Sequence, residues 1–161
     1  MECFKTFRKA PPSQLIMTLL VKNEESMLEE NLLFHKAMGV DSFIITDNNS
    51  TDSTPEIIRK YKQKGWIKEV IEEKATDYEQ KEWVDRMIWK AKTIYKADWI
   101  INADADELWY SPSGNLKTDL SATHANVLNC EMRSVYPEEN QPFWQWDKVV
   151  KPVSEPERYD L

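Results

Sequence analysis

Three carboxylates, Asp104, Asp106 and Glu107, stand within four positions in the stretch INADADELWY (residues 101–110), directly after the apolar run Trp99, Ile100, Ile101. Two like charges ~4 Å apart repel by about 4 kcal/mol at an effective dielectric near 20, so such a cluster needs water, a proton or a cation. Carboxylate oxygens suit hard divalent ions, Mg²⁺ or Mn²⁺. An ion held by only one or two of them keeps positions open for the phosphate oxygens of a substrate, and the small Ala105 between the acids leaves room for that approach. The plain structural alternative is a solvated acidic turn in which one Asp caps a short helix over residues 107–110.

Two more polar clusters follow apolar runs. After LIMTLLV come Lys22, Asn23 and Glu24; after SFIIT comes DNNSTDST, residues 47–54. Asn and Asp favour turns because their side chains bond nearby backbone, and Thr54 is placed to cap a following helix. That leaves Asp47 and Asn48, at the head of the segment, available to meet a ligand's donor groups.

The elements that must position these residues alternate. Residues 14–21 read as a buried strand, followed by a helix over about 25–38 with Met27, Leu28, Leu32, Leu33 and Ala37 at helical spacing and Gly39 as its stop. Residues 42–46 form a second strand. Ser53, Thr54, Pro55 and Glu56 open a helix that ends at Gly65. Residues 66–71 are a third strand, 79–96 a helix with Val84, Met87, Ile88, Ala91, Ile94 and Tyr95 on its inner stripe, and 99–103 a fourth strand. Such alternation predicts an α/β fold, a mostly parallel sheet with flanking helices and right-handed crossovers. Ligands bind such sheets outside the carboxyl ends of the strands. The three polar clusters follow the first, second and fourth strands, so they converge on one edge.

Composition excludes several function classes. With 161 residues the chain is one domain or part of one, and its formal charge of -7 offers no broad footprint for nucleic acid. Apolar runs of about seven residues are far short of a membrane span, and no signal-peptide core is present. Cys3 and Cys130 make no metal-ligand spacing and read as free thiols of a reduced, cytoplasmic compartment. Beyond a fifth strand expected over 126–134, Pro137, Pro142, Pro152 and Pro156 break up any long element. Phe143, Trp144 and Trp146 lie between them, placed either to stack on a ligand's rings or to pack over the sheet.

The series LIMTLLVKNEE, NLLFHKAMGVDSFIITDNNSTDST and DWIINADADE resembles the family-2 glycosyltransferases of GT-A (Rossmann-like) nucleotide-sugar-binding architecture, in their short subgroup with NEE, DNNSTD and DADE motifs. The match covers about residues 14–110, and its specificity lies in the order and spacing of three motifs. The resemblance implies that the first two strand ends cradle the base and ribose and that the DxD element binds sugar or ribose and a divalent cation at the diphosphate. Val21 and Glu24 would then line the nucleoside site, and Asp47 or Asn48 would meet the base, although the family commonly has two acids there. Asp52 would organise the loop. Asp104 would sit near the ribose and donor sugar as well as the metal, Asp106 would be the main protein ligand of Mn²⁺ or Mg²⁺, and Glu107 would support them from behind. Arg86 falls near the family's nucleotide-contacting arginine, with a spacing to the DxD about two residues longer; a surface pair with Glu82 is the alternative. His35 and His124 read as packing or surface residues.

The implied organisation is an N-terminal extension over 1–13, a nucleotide-sugar-binding α/β domain over 14–136, and a Pro/Trp-rich segment over 137–161 that begins the acceptor side. The implied reaction moves a sugar from a nucleotide diphosphate sugar, a UDP-sugar favoured, to a carbohydrate or other hydroxyl acceptor. A metal stabilises the charge gathering on the departing diphosphate, and inversion also needs a carboxylate base. Glu138, Glu139 and Asp147 are candidates for that base, with no motif to choose among them. The chain is expected to be the amino-terminal portion of something longer. Two alternatives stay open: a module that binds the donor without turnover, and a phosphoryl-transfer enzyme of haloacid dehalogenase type. The latter places its DxD after the first strand.

Overall fold

LIMTLLV contains one polar residue, Thr18, and so can be buried on both faces as a central parallel strand requires. In the computed structural model, which describes residues 13–74, 80–123, 125–128, 130–135, 138 and 141, it forms β1 (Leu15–Val21). α1 (Leu28–Ala37), β2 (Ser42–Asp47), α2 (Thr54–Gln63), β3 (Ile67–Glu72), α3 (Gln80–Thr93), β4 (Trp99–Ala103) and α4 (Leu116–Ser121) follow. The strands make one parallel sheet in the order β3-β2-β1-β4. The fold is therefore α/β with a parallel four-stranded sheet and flanking helices, as the alternating pattern predicts.

Side chains alternate across each strand, and the two faces gather separate cores. Leu15, Met17, Leu19 and Val21 of β1 pack with Phe43 and Ile45 of β2 against Leu28 and Leu32 of α1 and Ile58 and Tyr61 of α2. On the other face Ile16 and Ile44 pack against Met87 and Ala91 of α3. Each fully buried Leu or Ile is worth about 1.5–3 kcal/mol. After β3 the chain crosses back to pair β4 with β1, so the order reverses between β1 and β4. Register aligns the strand ends: Val21 lies opposite Asp47, and Leu19 opposite Ala103.

Several boundaries differ from the sequence expectation, each for a local reason. α1 starts at Leu28 because residues 25–27 form a turn whose Met27 and Leu28 N–H groups both donate to the Glu24 carbonyl. Thr54 does not cap α2: it is the first helical residue, behind Pro55, and its hydroxyl accepts the Glu24 N–H instead. In α3 the buried stripe is Trp83, Met87 and Ala91, and Ile94 is exposed beyond the helix end. Residues 107–110 are not helical. Gly39 does end α1, with φ of +97° and the Val40 N–H closing back on His35 O.

The chain divides into two units, Met1–His124 and Ala125–Leu161. The described residues of the second are irregular and mostly exposed, with an isolated bridge at Val135 and an Arg133–Glu131 ion pair. The strand expected over 126–134 does not form among them, since Val127 and Met132 face solvent and β-propensity without a neighbouring strand builds no ladder. The aromatic cluster Phe143, Trp144 and Trp146 lies outside the described residues, as do Glu139 and Asp147.

Candidate functional site

The loops after β1 and β2 are bonded to each other along their length. Asn23 N–H donates to Ser50 Oγ, the Asn23 side-chain oxygen accepts from Thr51 N, Glu25 N–H donates to Asp52 Oδ2, and Ser53 N–H donates to Glu25 Oε2. Asn23 and Asn49 take up left-handed backbone at φ of 57° and 54°, a region Asn tolerates and most residues avoid. Asp52 also accepts the Thr54 N–H at 3.0 Å, which makes it the loop organiser that the sequence resemblance implies. Asp47 is nearly buried, and its Oδ1 accepts both the N–H and the hydroxyl of Ser50, at 3.1 and 2.6 Å.

The loop after β4 is built differently. Ala105 points into the core, 2% exposed, so Asp104 and Asp106 on either side of it face out. Glu107 closes the turn reciprocally: its N–H donates to Asp104 O and its carboxylate accepts the Asp104 N–H. Among the described residues no donor reaches the carboxylate of Asp104 or of Asp106. A cavity of about 270 Å³ opens here, between the carboxyl ends of β1 and β4, lined by Leu20, Val21, Lys22, Glu24, Asn48, Gln80, Asp104, Ala105 and Asp106. It sits where the strand order reverses, the usual crevice of an open α/β sheet.

Five of the residues expected to meet donor or metal therefore line one cavity: Val21, Glu24, Asn48, Asp104 and Asp106. Burial, and then the charges of Asp106, Asp104 and Asp52, raise the Glu24 carboxyl above its usual range. The cavity is thus acidic enough that its own carboxylates oppose one another, and among the described residues Lys22 is the one cation in its lining. Asp47 and Arg86 are not among the lining residues. Arg86, on α3, pairs with Glu73 at 2.7 Å and not with Glu82. Among the described residues no three His, Cys, Asp or Glu side chains form a closed cation cage. A divalent ion here would have two free carboxylates and open positions, and the hard oxygen donors of Asp104 and Asp106 fit that need.

The profile of glycosyltransferase family 92 matches residues 17–160. The chain belongs to that family. The family-2 resemblance of the motifs stays unconfirmed by this match. Among solved structures the chain is similar to a mannosyltransferase from Pyrobaculum calidifontis in complex with GDP-Man and Mn²⁺, at 18% identity and a TM-score of 0.48, over 63% of this chain and 30% of that one. The chain therefore spans less than a third of that enzyme's length. Comparison with curated proteins returns no match.

Behind the acidic loop of this family 92 chain lie two residues that the motif reading left out of the site. Asn31 of α1 donates through Nδ2 to Ala105 O and Glu107 O, and His35 Nε2 accepts the Trp109 N–H. Burial pushes the His35 imidazole down to about 4, although the hydrogen bond to Asn31 works the other way. The sequence holds a signal for this pair. Asn31 and His35 continue the buried stripe of Leu28 and Leu32 at positions i, i+3, i+4 and i+7, and polar residues on such a stripe must find partners across the interface. Gln80 also carries no motif and is placed by the fold alone.

Proposed function

We propose that the carboxyl edge of the sheet is the donor site of a metal-dependent glycosyl transfer. The donor is a nucleotide diphosphate sugar, a UDP-sugar favoured, and the ion is Mn²⁺ or Mg²⁺ held by Asp106 and Asp104. The observation that carries this reading is the pair of carboxylates, without a donor among the described residues, that flank buried Ala105 at the switch-point cavity. In the way the family-2 resemblance implies, Val21 and Glu24 line the nucleoside end, and Asp104 turns toward the ribose and donor sugar. For the base contact the cavity lining favours Asn48 over Asp47, whose Oδ1 is committed to Ser50. Arg86 is held by Glu73, and we assign it no ligand contact.

In the transfer, the bond between the anomeric carbon and the diphosphate oxygen breaks, its electron pair leaves with the nucleotide, and the acceptor hydroxyl attacks the same carbon and passes its proton to a base. A bound divalent ion supplies charge stabilisation for the leaving diphosphate. The protein's part is to hold both DxD carboxylates outward, and to offer Lys22 as a nearby cation. No described residue is assigned as the base; Glu138 is the described member of the three candidates and lies in the second unit.

Incubation with UDP- and GDP-sugars in the presence of Mn²⁺ or of chelator tests the reading. Metal-dependent release of nucleoside diphosphate is expected. Metal-dependent binding without release would leave the alternative, a donor-binding module. The haloacid dehalogenase alternative is not supported, because the acids follow β4 and not β1.

A further inference from the structure

We infer that Asn31 and His35 are positioning residues that hold the acidic loop so that Asp104 and Asp106 face the cavity, an inference that rests on the donor-site reading above. The loop is tied at alternate residues. Asn31 Nδ2 holds the carbonyls of Ala105 at 2.9 Å and Glu107 at 3.0 Å, and His35 Nε2 holds the N–H of Trp109 at 2.9 Å. All three ties fall on odd positions, and the free carboxylates belong to the even positions between and before them. Pinning 105, 107 and 109 inward is what presents 104 and 106 outward.

The network admits one arrangement of protons. Because Nε2 accepts from a backbone N–H, it carries no proton, so the neutral ring holds its proton on Nδ1. Nδ1 lies 2.9 Å from both Asn31 O and Asn31 Oδ1 and donates there. That fixes the Asn31 amide with its oxygen toward the ring and its nitrogen toward the loop, where two carbonyls accept. Both side chains are fully buried, so every one of these groups is satisfied within the protein. Neither touches the cavity. A simple fold-stabilising tie would need one such bond; a chain from Asn31 through His35 that catches three alternate backbone groups fixes the loop's phase.

The test compares His35→Phe, which keeps the packing volume and removes the acceptor, with His35→Gln, whose side-chain oxygen can reach the Trp109 N–H. Two quantities are measured: Mn²⁺-dependent binding of UDP and GDP by calorimetry, and hydrogen exchange of the Trp109 amide. Partners that orient metal ligands from behind cost about 10–100-fold in metal affinity when removed. We expect His35→Phe to keep its circular dichroism, to lose at least about tenfold in metal-dependent binding, and to expose the Trp109 amide, with His35→Gln restoring most of both. A folded His35→Phe protein that binds as the wild type does overturns the inference. Should His35→Phe not fold, Asn31→Ala, which keeps the ring and removes the donors to Ala105 and Glu107, is read by the same criteria. If the wild type itself binds no nucleotide with metal, the donor-site reading fails separately. The positioning role is then judged on exchange alone: protection lost in the variant supports it, and protection retained overturns it.

Discussion

Two acidic loops lie at the same edge of this sheet and use their acids in opposite ways. In the loop after β2, Asp47 and Asp52 accept hydrogen bonds from Ser50, Glu25 and Thr54, so their charges are spent on holding backbone. In the loop after β4, backbone is held from behind by Asn31 and His35, and the carboxylates of Asp104 and Asp106 accept no bond from any described residue. A carboxylate at a strand end is thus no guide to function until its partners are known. Where neutral side chains from a neighbouring helix do the structural work, the acids are left for a ligand.

The comparison breaks most directly at Asp106. Replacing it with Ala should reduce metal-dependent nucleotide binding by about 100-fold or more, because an inner ligand is lost, with unchanged circular dichroism since no core cavity opens. Normal binding in a folded variant would remove the metal role from this position. Acid should undo the β4 loop next. The His35 imidazole titrates near 4 in the folded chain against an ordinary 6.5, so the unfolded state binds more protons between those values. Stability is complete above about pH 6.5 and should fall by about 3 kcal/mol as pH drops to 4, measured by chemical denaturation. The non-titrating His35→Gln variant should flatten that part of the profile; an equally steep fall in it would assign the acid sensitivity elsewhere.

Smaller effects sharpen the contrast. Asp104→Asn should weaken metal-dependent binding by about tenfold, less than Asp106→Ala, because the amide oxygen still coordinates weakly. Asp52→Ala should act on stability instead, lowering it by about 1–2 kcal/mol through the lost bonds to Glu25 and Thr54, with nucleotide affinity changing less than in either DxD variant. If Asp52→Ala left stability intact and abolished binding, the assignment of the two loops would be reversed.

Local pattern accounts for much of this arrangement. The apolar runs LIMTLLV and FIIT predict the two central strands, and the polar residues after them predict which edge carries the polar cavity, because strand burial and strand ends are short-range properties. Long-range partners were not legible. The Thr54 hydroxyl suits a helix cap from its neighbours, but Glu24, 30 positions away in sequence, takes it. Residues 107–110 read as a helical turn, yet Glu107 bonds back to Asp104 and the Trp109 N–H goes to His35, which leaves no run of free donors for a helix. His35 itself reads as packing, and it is packed; its function lies in what its other nitrogen holds.

Asp104 and Asp106 are proposed to form a donor site that works through a divalent ion. Calorimetric titration of UDP and then GDP into the purified chain, once with Mn²⁺ and once with chelator, tests it most directly. A metal-dependent donor site gives saturable binding of one nucleotide with Mn²⁺ and none with chelator. Equal binding under both conditions, or no binding under either, would contradict it.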